Sequence, residues 1–174
     1  MEITLKKQNT AVLSFVLYSL LGAGLIALSA LIRIPFYPVS FTLQTFAVLV
    51  LGLTQRPSQA FGSTIAYLLA ATAGLPVLTG GLANMLWIVG PTAGYLAAFP
   101  LAATLISSLK NKIHPLLAIF CGQALIFACG FAWLASLIGA PLAWYNGVLL
   151  FLASDALKAI VAFSGLSLWK KFRS

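Results

Sequence analysis

Two charged side chains, Asp155 and Lys158, stand inside a long apolar stretch near the end of the chain. A charge at the centre of a membrane helix costs about 2.5–3.5 kcal/mol on insertion scales, so such residues are usually paired and functional. A spacing of three residues puts both on one helix face. An aspartate accepts hydrogen bonds from ligand N–H groups, and a lysine binds a carboxylate. The pair predicts a site for a ligand with a urea-like head and an acidic tail, and an internal salt bridge is the alternative.

Four further polar side chains are candidates for the same site. Asn84 offers both a donor and an acceptor, and capping of a turn beside Gly80–Gly81 is its alternative role. Gln44 and Thr42 begin a predicted helix, where capping or interhelical hydrogen bonding is the alternative. Tyr95 flanks an irregular stretch, and a place at the membrane interface is its alternative. We find no nucleophile–base set, metal-ligand cluster or Walker-type glycine loop, so the sequence predicts no enzymatic activity, cofactor or metal.

The composition indicates that helices in a lipid bilayer position these residues. Of the 174 residues, 61% are hydrophobic and only 7% are charged, and the mean hydropathy is +1.06. Two acidic residues cannot give a soluble domain of this length a charged surface. At roughly 20 residues per span, the chain holds about six helices and little else. We therefore predict an all-α, multi-pass protein of the cell (plasma or inner) membrane, with residues 1–174 forming a single six-helix domain.

The apolar runs and their breaks predict where the spans lie. The six spans are about Ala11–Ile32, Phe41–Gln55, Ser58–Ala73, residues 91–109, Pro115–Gly139 and Tyr145–Trp169. The stretch Gly74–Gly90 contains a proline and a Gly-Gly pair, which favours an irregular or re-entrant loop between helices 3 and 4. At membrane depth such a loop is permitted only where it is buried in protein or lines a cavity.

The positions of the positive charges predict the orientation of the chain. With the N-terminus inside, the cytoplasmic segments carry eight lysines and arginines, whereas the external loops carry only Arg33. The eight are Lys6, Lys7, Arg56, Lys110, Lys112, Lys170, Lys171 and Arg173. This bias predicts that both termini are cytoplasmic.

Small residues in the first predicted span favour close packing against another helix. Ala23 and Ala27 have the separation that lets two helix backbones approach each other. The second helix belongs either to the protein's own bundle or to another membrane protein, and the sequence leaves both possibilities open.

Four blocks of sequence, in this order, resemble one family. They are PVSFTLQTFAVLVLGL (Pro38–Leu53), GLPVLTGG (Gly74–Gly81), GPTAGYLAAFPLAA (Gly90–Ala103) and SDALKA (Ser154–Ala159). Together they resemble the BioY family, the substrate-binding S components of biotin transporters of the energy-coupling factor (ECF) type. One departure is Ala93, which replaces a glycine usual in the third block.

The resemblance implies a six-helix protein that binds biotin from outside and works with a membrane-embedded T component and two ATPase subunits. It assigns the family's D-x-x-K pattern to Asp155 and Lys158, and its FTLQT and GPTGGY motifs to Phe41–Thr45 and Gly90–Tyr95. The small residues Ala23 and Ala27 resemble those that dock S components onto the T component. In the resulting hypothesis, Asp155 and Asn84 bind the ureido ring and Lys158 binds the carboxylate. A stand-alone, ion-coupled transporter of biotin or a related vitamin is the alternative.

Overall fold

The computed structural model describes the backbone of residues 2–173 and the side chains of residues 10–168. The chain is mostly helical in this range. The helices are α1 (Glu2–Leu31), α2 (Gln44–Thr54), α3 (Pro57–Thr72), α4 (Ala93–Leu109), α5 (Pro115–Ile138), α6 (Ala140–Trp144) and α7 (Leu150–Arg173). A π-helical turn (Tyr145–Leu149) joins α6 to α7, and a 3₁₀ turn (Trp87–Val89) precedes α4.

Three helical stretches within the described residues are long and apolar enough to cross a membrane. They are Thr10–Leu31, Pro115–Ile138 and Ala140–Leu168. The helix α2 is also apolar but has only 11 residues. It therefore rises about 16 Å, which is shorter than the hydrocarbon core of roughly 30 Å. The structure thus supports a helical membrane protein, and the number of six spans stays a prediction.

The start of α2 differs from the predicted second span, Phe41–Gln55. Phe41–Thr42 instead forms a short strand, β2, that pairs antiparallel with β1 (Arg33–Ile34). The helix begins only at Gln44. The intervening chain contains Pro35 and Pro38, which disfavour helix at the residues before them. The predicted proline turn is therefore a two-stranded hairpin, and it shortens the helix that follows.

The last helical region begins earlier than the predicted Tyr145. It begins with α6, which has Pro141 in its first turn and follows Gly139 at φ 85°. Proline is favoured at this position because it needs no N–H partner there. The predicted span begins inside the π-helical turn, a feature that the apolar pattern did not reveal.

The stretch between α3 and α4 contains no α-helix, which confirms the prediction of an irregular loop over Gly74–Gly90. Its Gly80 N–H donates to the Ala30 carbonyl of α1 at 2.8 Å. Gly80 has φ +74°, and a Cβ there would lie 2.5 Å from the guanidinium of Arg33. Leu78 and Trp87 are buried. The loop is therefore a packed part of the fold and is fastened to the end of α1.

Among the described elements, the helices α4 and α5 share the most extensive contact. A Cβ on Gly94 of α4 would lie 2.5 Å from the Cys129 carbonyl oxygen of α5, so only glycine permits this approach. On the other side of the core, α1 packs on α3, with Gly22 against Ser63. The close approach at Gly94 holds α4 and α5 together as one wall of the bundle.

Candidate functional site

A partly open cavity lies between α2, α4, α5 and α7. Its walls are largely apolar and are formed by Leu96, Phe99, Ile126, Phe127 and Phe151. Polar side chains enter it from two sides, as is typical of small-molecule sites. Within the described residues, the charged side chains that line it are those of Asp155 and Lys158.

Three side chains form a hydrogen-bonded cluster at the wall of this cavity. Lys158 Nζ lies 2.8 Å from Asp155 Oδ1, and the side chains are 12% and 4% exposed respectively. Thr45 Oγ1 donates to the same Asp155 oxygen at 2.9 Å and accepts from Lys158 Nζ at 3.0 Å. The internal salt bridge weighed as the alternative is therefore present, and it borders the empty space, so ligand binding by the pair stays a prediction.

This cluster can offer a ligand the second carboxylate oxygen of Asp155 and the third ammonium N–H of Lys158. The contacts within the cluster use Oδ1 of the aspartate and two of the three N–H groups of the lysine. The unit presents an acceptor next to a donor. It also carries no net charge, so it suits a neutral polar group better than an anion.

This geometry bears on the division of roles between Asp155 and Lys158, which stays a prediction. The sequence-based hypothesis gives the ureido ring to Asp155 and the carboxylate to Lys158. A bicyclic ring and an alkyl chain separate those groups in biotin, whereas the two side chains are 2.8 Å apart. The short separation favours a shared place for both side chains at one end of an extended ligand.

Gln44 and Thr42 line the cavity, as predicted, but both are bonded within the protein. Gln44 Oε1 accepts from Thr42 Oγ1 at 3.1 Å and from Thr79 Oγ1 at 3.3 Å. Gln44 Nε2 donates to the Tyr67 hydroxyl at 2.5 Å. Gln44 is buried and connects the irregular loop to α2 and α3. Ligand contact by these two residues stays a prediction.

Tyr95 also lines the cavity, at the start of α4. Its hydroxyl donates to the Gly147 carbonyl in the π-helical turn at 2.8 Å. A Cβ on Gly130 would lie 2.2 Å from the Tyr95 ring, so this glycine makes room for it. The side chain thus fills the gap between α5 and the π-helical turn while one face borders the cavity.

Asn84 is not brought together with Asp155. It lines a neighbouring cavity with Trp87, and its Oδ1 accepts from the Leu86 N–H at 3.0 Å. That bond is the turn-capping role weighed as the alternative. The two cavities share Ser40, Thr79, Thr92 and Leu96. The binding role of Asn84 stays a prediction.

The residues proposed for partner docking, Ala23 and Ala27, lie on α1 away from the cavity. Both are half-buried and pack against the main core. Gly24, between them, has no atom within 4 Å of the position its Cβ would take. One side of this small-residue stripe therefore contacts the bundle and another is open, so docking of a partner helix stays a prediction.

Two residues of the site were not singled out from the sequence. Thr45 was included only as the end of a motif, and Gln123 was not considered. Gln123 is buried and its Nε2 donates to the backbone carbonyl of Asp155 at 2.7 Å. A glutamine within an apolar predicted span was the available signal for Gln123. Thr45 carries no comparable signal in the sequence, because threonine is common in membrane helices.

Comparison with protein families places the chain among transport proteins. Residues 4–174 match the model described as the BioY family. A relative from Pyrococcus horikoshii, named "Probable biotin transporter BioY", is 34% identical over 142 residues, which cover 82% of this chain and 87% of the relative. "Biotin transporter BioY2" from Lactococcus lactis subsp. cremoris is 36% identical over 169 residues, with 92% of each chain covered.

One solved structure has the same fold. It is the crystal structure of the S-component for biotin from an ECF-type ABC transporter, with a TM-score of 0.80 and 27% sequence identity. The match covers 94% of each chain. The solved structure therefore matches this chain over nearly its whole length, which includes the helices that form the cavity.

Proposed function

The chain belongs to the BioY family, and on this premise we propose that it is the biotin-binding membrane component of an ECF uptake transporter. Its relatives are transporters, so it is a transport subunit of the cell membrane and not an enzyme. The observation that carries the proposal is the cavity bordered by the Asp155–Lys158 pair in a chain that matches the family from residue 4 to residue 174.

The polar cluster and the ureido group of biotin have complementary hydrogen-bonding groups. A ureido group has N–H donors beside a carbonyl acceptor and carries no charge. Asp155 accepts from the N–H group while Lys158 donates to the carbonyl. Thr45 holds both in place, since its hydroxyl bonds to each at 2.9 and 3.0 Å. A carboxylate at the same position would be repelled by Asp155.

The rest of the ligand extends from this cluster toward the mouth of the cavity. The thiophane ring and alkyl chain lie against the apolar walls formed by Phe99, Phe127 and Phe151. The carboxylate reaches the hydroxyl-lined region that contains Ser40 and Thr92, which both cavities share. In this position the carboxylate retains access to water.

Binding to detergent-purified protein tests this orientation. We expect biotin to bind, and a biotin analogue methylated on a ureido nitrogen to bind at least about tenfold more weakly, since one charge-assisted hydrogen bond is lost. Biotin methyl ester should lose less affinity than the N-methyl analogue does. Asp155→Asn is the matched variant and should reduce the difference between biotin and the N-methyl analogue. If biotin does not bind, the proposed function is wrong. If the methyl ester loses more affinity than the N-methyl analogue, the carboxylate lies at the ion pair.

A stand-alone, ion-coupled transporter is not favoured. The structural counterpart is an S-component, a subunit that works within a larger assembly. Asp155, the acidic side chain available to carry a coupling ion in the described residues, is paired with Lys158 at 2.8 Å. We propose that a T component and two ATPase subunits supply the energy.

The proposed partner would dock on the small-residue stripe of α1. Gly24 is open, and Ala23 and Ala27 are only half-buried. Replacing Gly24 with Trp should prevent close approach of a second helix. We expect co-purification with the T component to fail while biotin binding is unchanged. Gly165→Trp, at an open position of α7, is the control. Loss of biotin binding in Gly24→Trp would instead show that this face supports the bundle.

We also propose six spans with both termini in the cytoplasm. The uneven distribution of Lys and Arg supports this orientation. Single cysteines at Lys112 and at Tyr37, both exposed, should be labelled by a membrane-impermeant reagent from opposite sides in a background without Cys121 and Cys129. Labelling of both from one side would contradict the topology.

A further inference from the structure

Val148 and Ala162 are buried in the last helical region, and five further buried residues of α6, the π-helical turn and α7 follow one another at intervals of four. These five are Ala143, Gly147, Phe151, Asp155 and Ala159. In an α-helix each residue turns by about 100°, so steps of four drift by about 40° each. Over the roughly sixteen residues from first to last, a straight α-helix would accumulate a drift of about 160°. The last of these residues would then face away from the core.

The π-helical turn removes most of this drift. Its diagnostic bond joins the Leu150 N–H to the Tyr145 carbonyl, five residues earlier. Such a turn takes up one extra residue, so the accumulated drift falls to about 60°. The apolar start of this helical region and the ligand-binding Asp155 can therefore lie on one face. The rotation of α7 depends on keeping this turn.

Tyr95 holds the π-helical turn from the side of α4. Its hydroxyl donates to the Gly147 carbonyl at 2.8 Å, between two buried residues. A Cβ on Gly147 would lie 2.3 Å from the Tyr95 hydroxyl oxygen and 2.7 Å from Leu134 Cδ2. The fit at Gly147 is therefore too tight for the turn to rotate as an α-helix without displacing Tyr95.

Gln123 makes the second such contact, two helical turns further along. Its Nε2 donates to the Asp155 backbone carbonyl at 2.7 Å, and both residues are buried. A mid-helix carbonyl that accepts a bond from another helix fixes rotation about the helix axis as well as translation along it. Between the two contacts, Phe151 stacks on Phe41, with ring centroids 4.1 Å apart.

From these contacts we infer that Tyr95 and Gln123 are positioning residues: by holding two carbonyls of the last helical region, they fix the rotation that points Asp155 and Lys158 into the cavity. Neither acts by contact with the polar end of the ligand. This inference rests on the proposed function, because it assigns to these residues the geometry of the biotin site.

A double-mutant cycle tests the inference on the full chain. Tyr95→Phe removes only the hydroxyl, and Gln123→Met removes the amide with little change of shape. We expect each to weaken biotin binding about tenfold, measured by equilibrium binding of radiolabelled biotin. In an Asp155→Asn background the same changes should cost less than about twofold, because they act through Asp155. Ser107→Ala, which also removes a buried side-chain bond to a carbonyl (Gln55 O, 2.7 Å), is the control and should not change affinity.

The outcomes separate this inference from the proposed function. If Asp155→Asn leaves biotin affinity unchanged, the proposed binding site and the inference are both overturned. If Asp155→Asn weakens binding but Tyr95→Phe and Gln123→Met do not, or if their losses add in full, only the inference is overturned. Failure of both positioning variants to fold would show that the contacts are structural, which also overturns it.

Discussion

Two polar networks, one at each end of α2, contain similar residues in different surroundings. Near the start of the helix, Thr45 joins Asp155 and Lys158 beside the cavity. Near its end, Lys110 Nζ donates to the backbone carbonyls of Gly52 and Gln55. Each network therefore contains a lysine that enters from another helix or its end.

The network at the end of α2 directs most of its donors to backbone carbonyls. Ser107 Oγ donates to the Gln55 carbonyl at 2.7 Å, and Gln55 Nε2 donates to the Tyr18 carbonyl at 2.9 Å. Ser63 Oγ bonds to the Gln55 side chain at 2.8 Å. Lys110 thus caps the helix, where a cation also interacts favourably with the helix dipole. A lysine that ends on carbonyls stabilises the fold, whereas one that ends on a carboxylate beside empty space is available to a ligand.

Removing both charges at the cavity should have the largest effect on binding. In Asp155→Asn with Lys158→Met, the ligand loses two charge-assisted hydrogen bonds of about 1.5–3 kcal/mol each. We expect biotin affinity to fall by about 10²–10⁴-fold, measured by equilibrium binding. The protein should remain folded because neither charge is left unpaired. Tight binding by this double variant would show that the two networks do not differ in function.

Removing one hydroxyl from each network should give a smaller but contrasting result. Thr45→Val removes the bonds that orient the ion pair, and we expect about tenfold weaker biotin binding. Ser63→Ala removes a hydroxyl of the other network and should leave affinity unchanged. Both are measured by titration calorimetry. Equal losses in the two variants would contradict the division between a binding network and a structural one.

Removing the lysine cap should have the smallest effect on binding and act on stability instead. In Lys110→Met the carbonyls of Gly52 and Gln55 lose a charged donor, and we expect the free energy of unfolding to fall by about 1–2 kcal/mol. Biotin affinity should change less than about twofold. Lys112→Met, at an exposed position of the same segment, is the control. A loss of affinity in Lys110→Met alone would indicate that the two ends of α2 are coupled.

The sequence predicted some features of this molecule because they are local. Charges within an apolar run identify Asp155 and Lys158, and the composition requires a membrane. Thr45 joins them across 110 residues of chain, and no local pattern encodes that contact. At Asn84 the turn-capping bond to the Leu86 N–H is local, and ligand binding stays a prediction. The π-helical turn around Gly147 escaped prediction because its apolar sequence is compatible with an ordinary helix.

The neutrality of the ion pair has a consequence for the kinetics of capture. A lysine and a carboxylate 2.8 Å apart produce only a short-ranged field at the mouth of the cavity. Such a site does not attract an anionic solute over distances comparable with the Debye length, about 8 Å at physiological ionic strength. Selectivity then arises after encounter, when a molecule exchanges water for the paired groups. We therefore expect the ion pair itself to add little salt dependence to the association rate of biotin, and differences between solutes that arise at this pair to appear in their residence times.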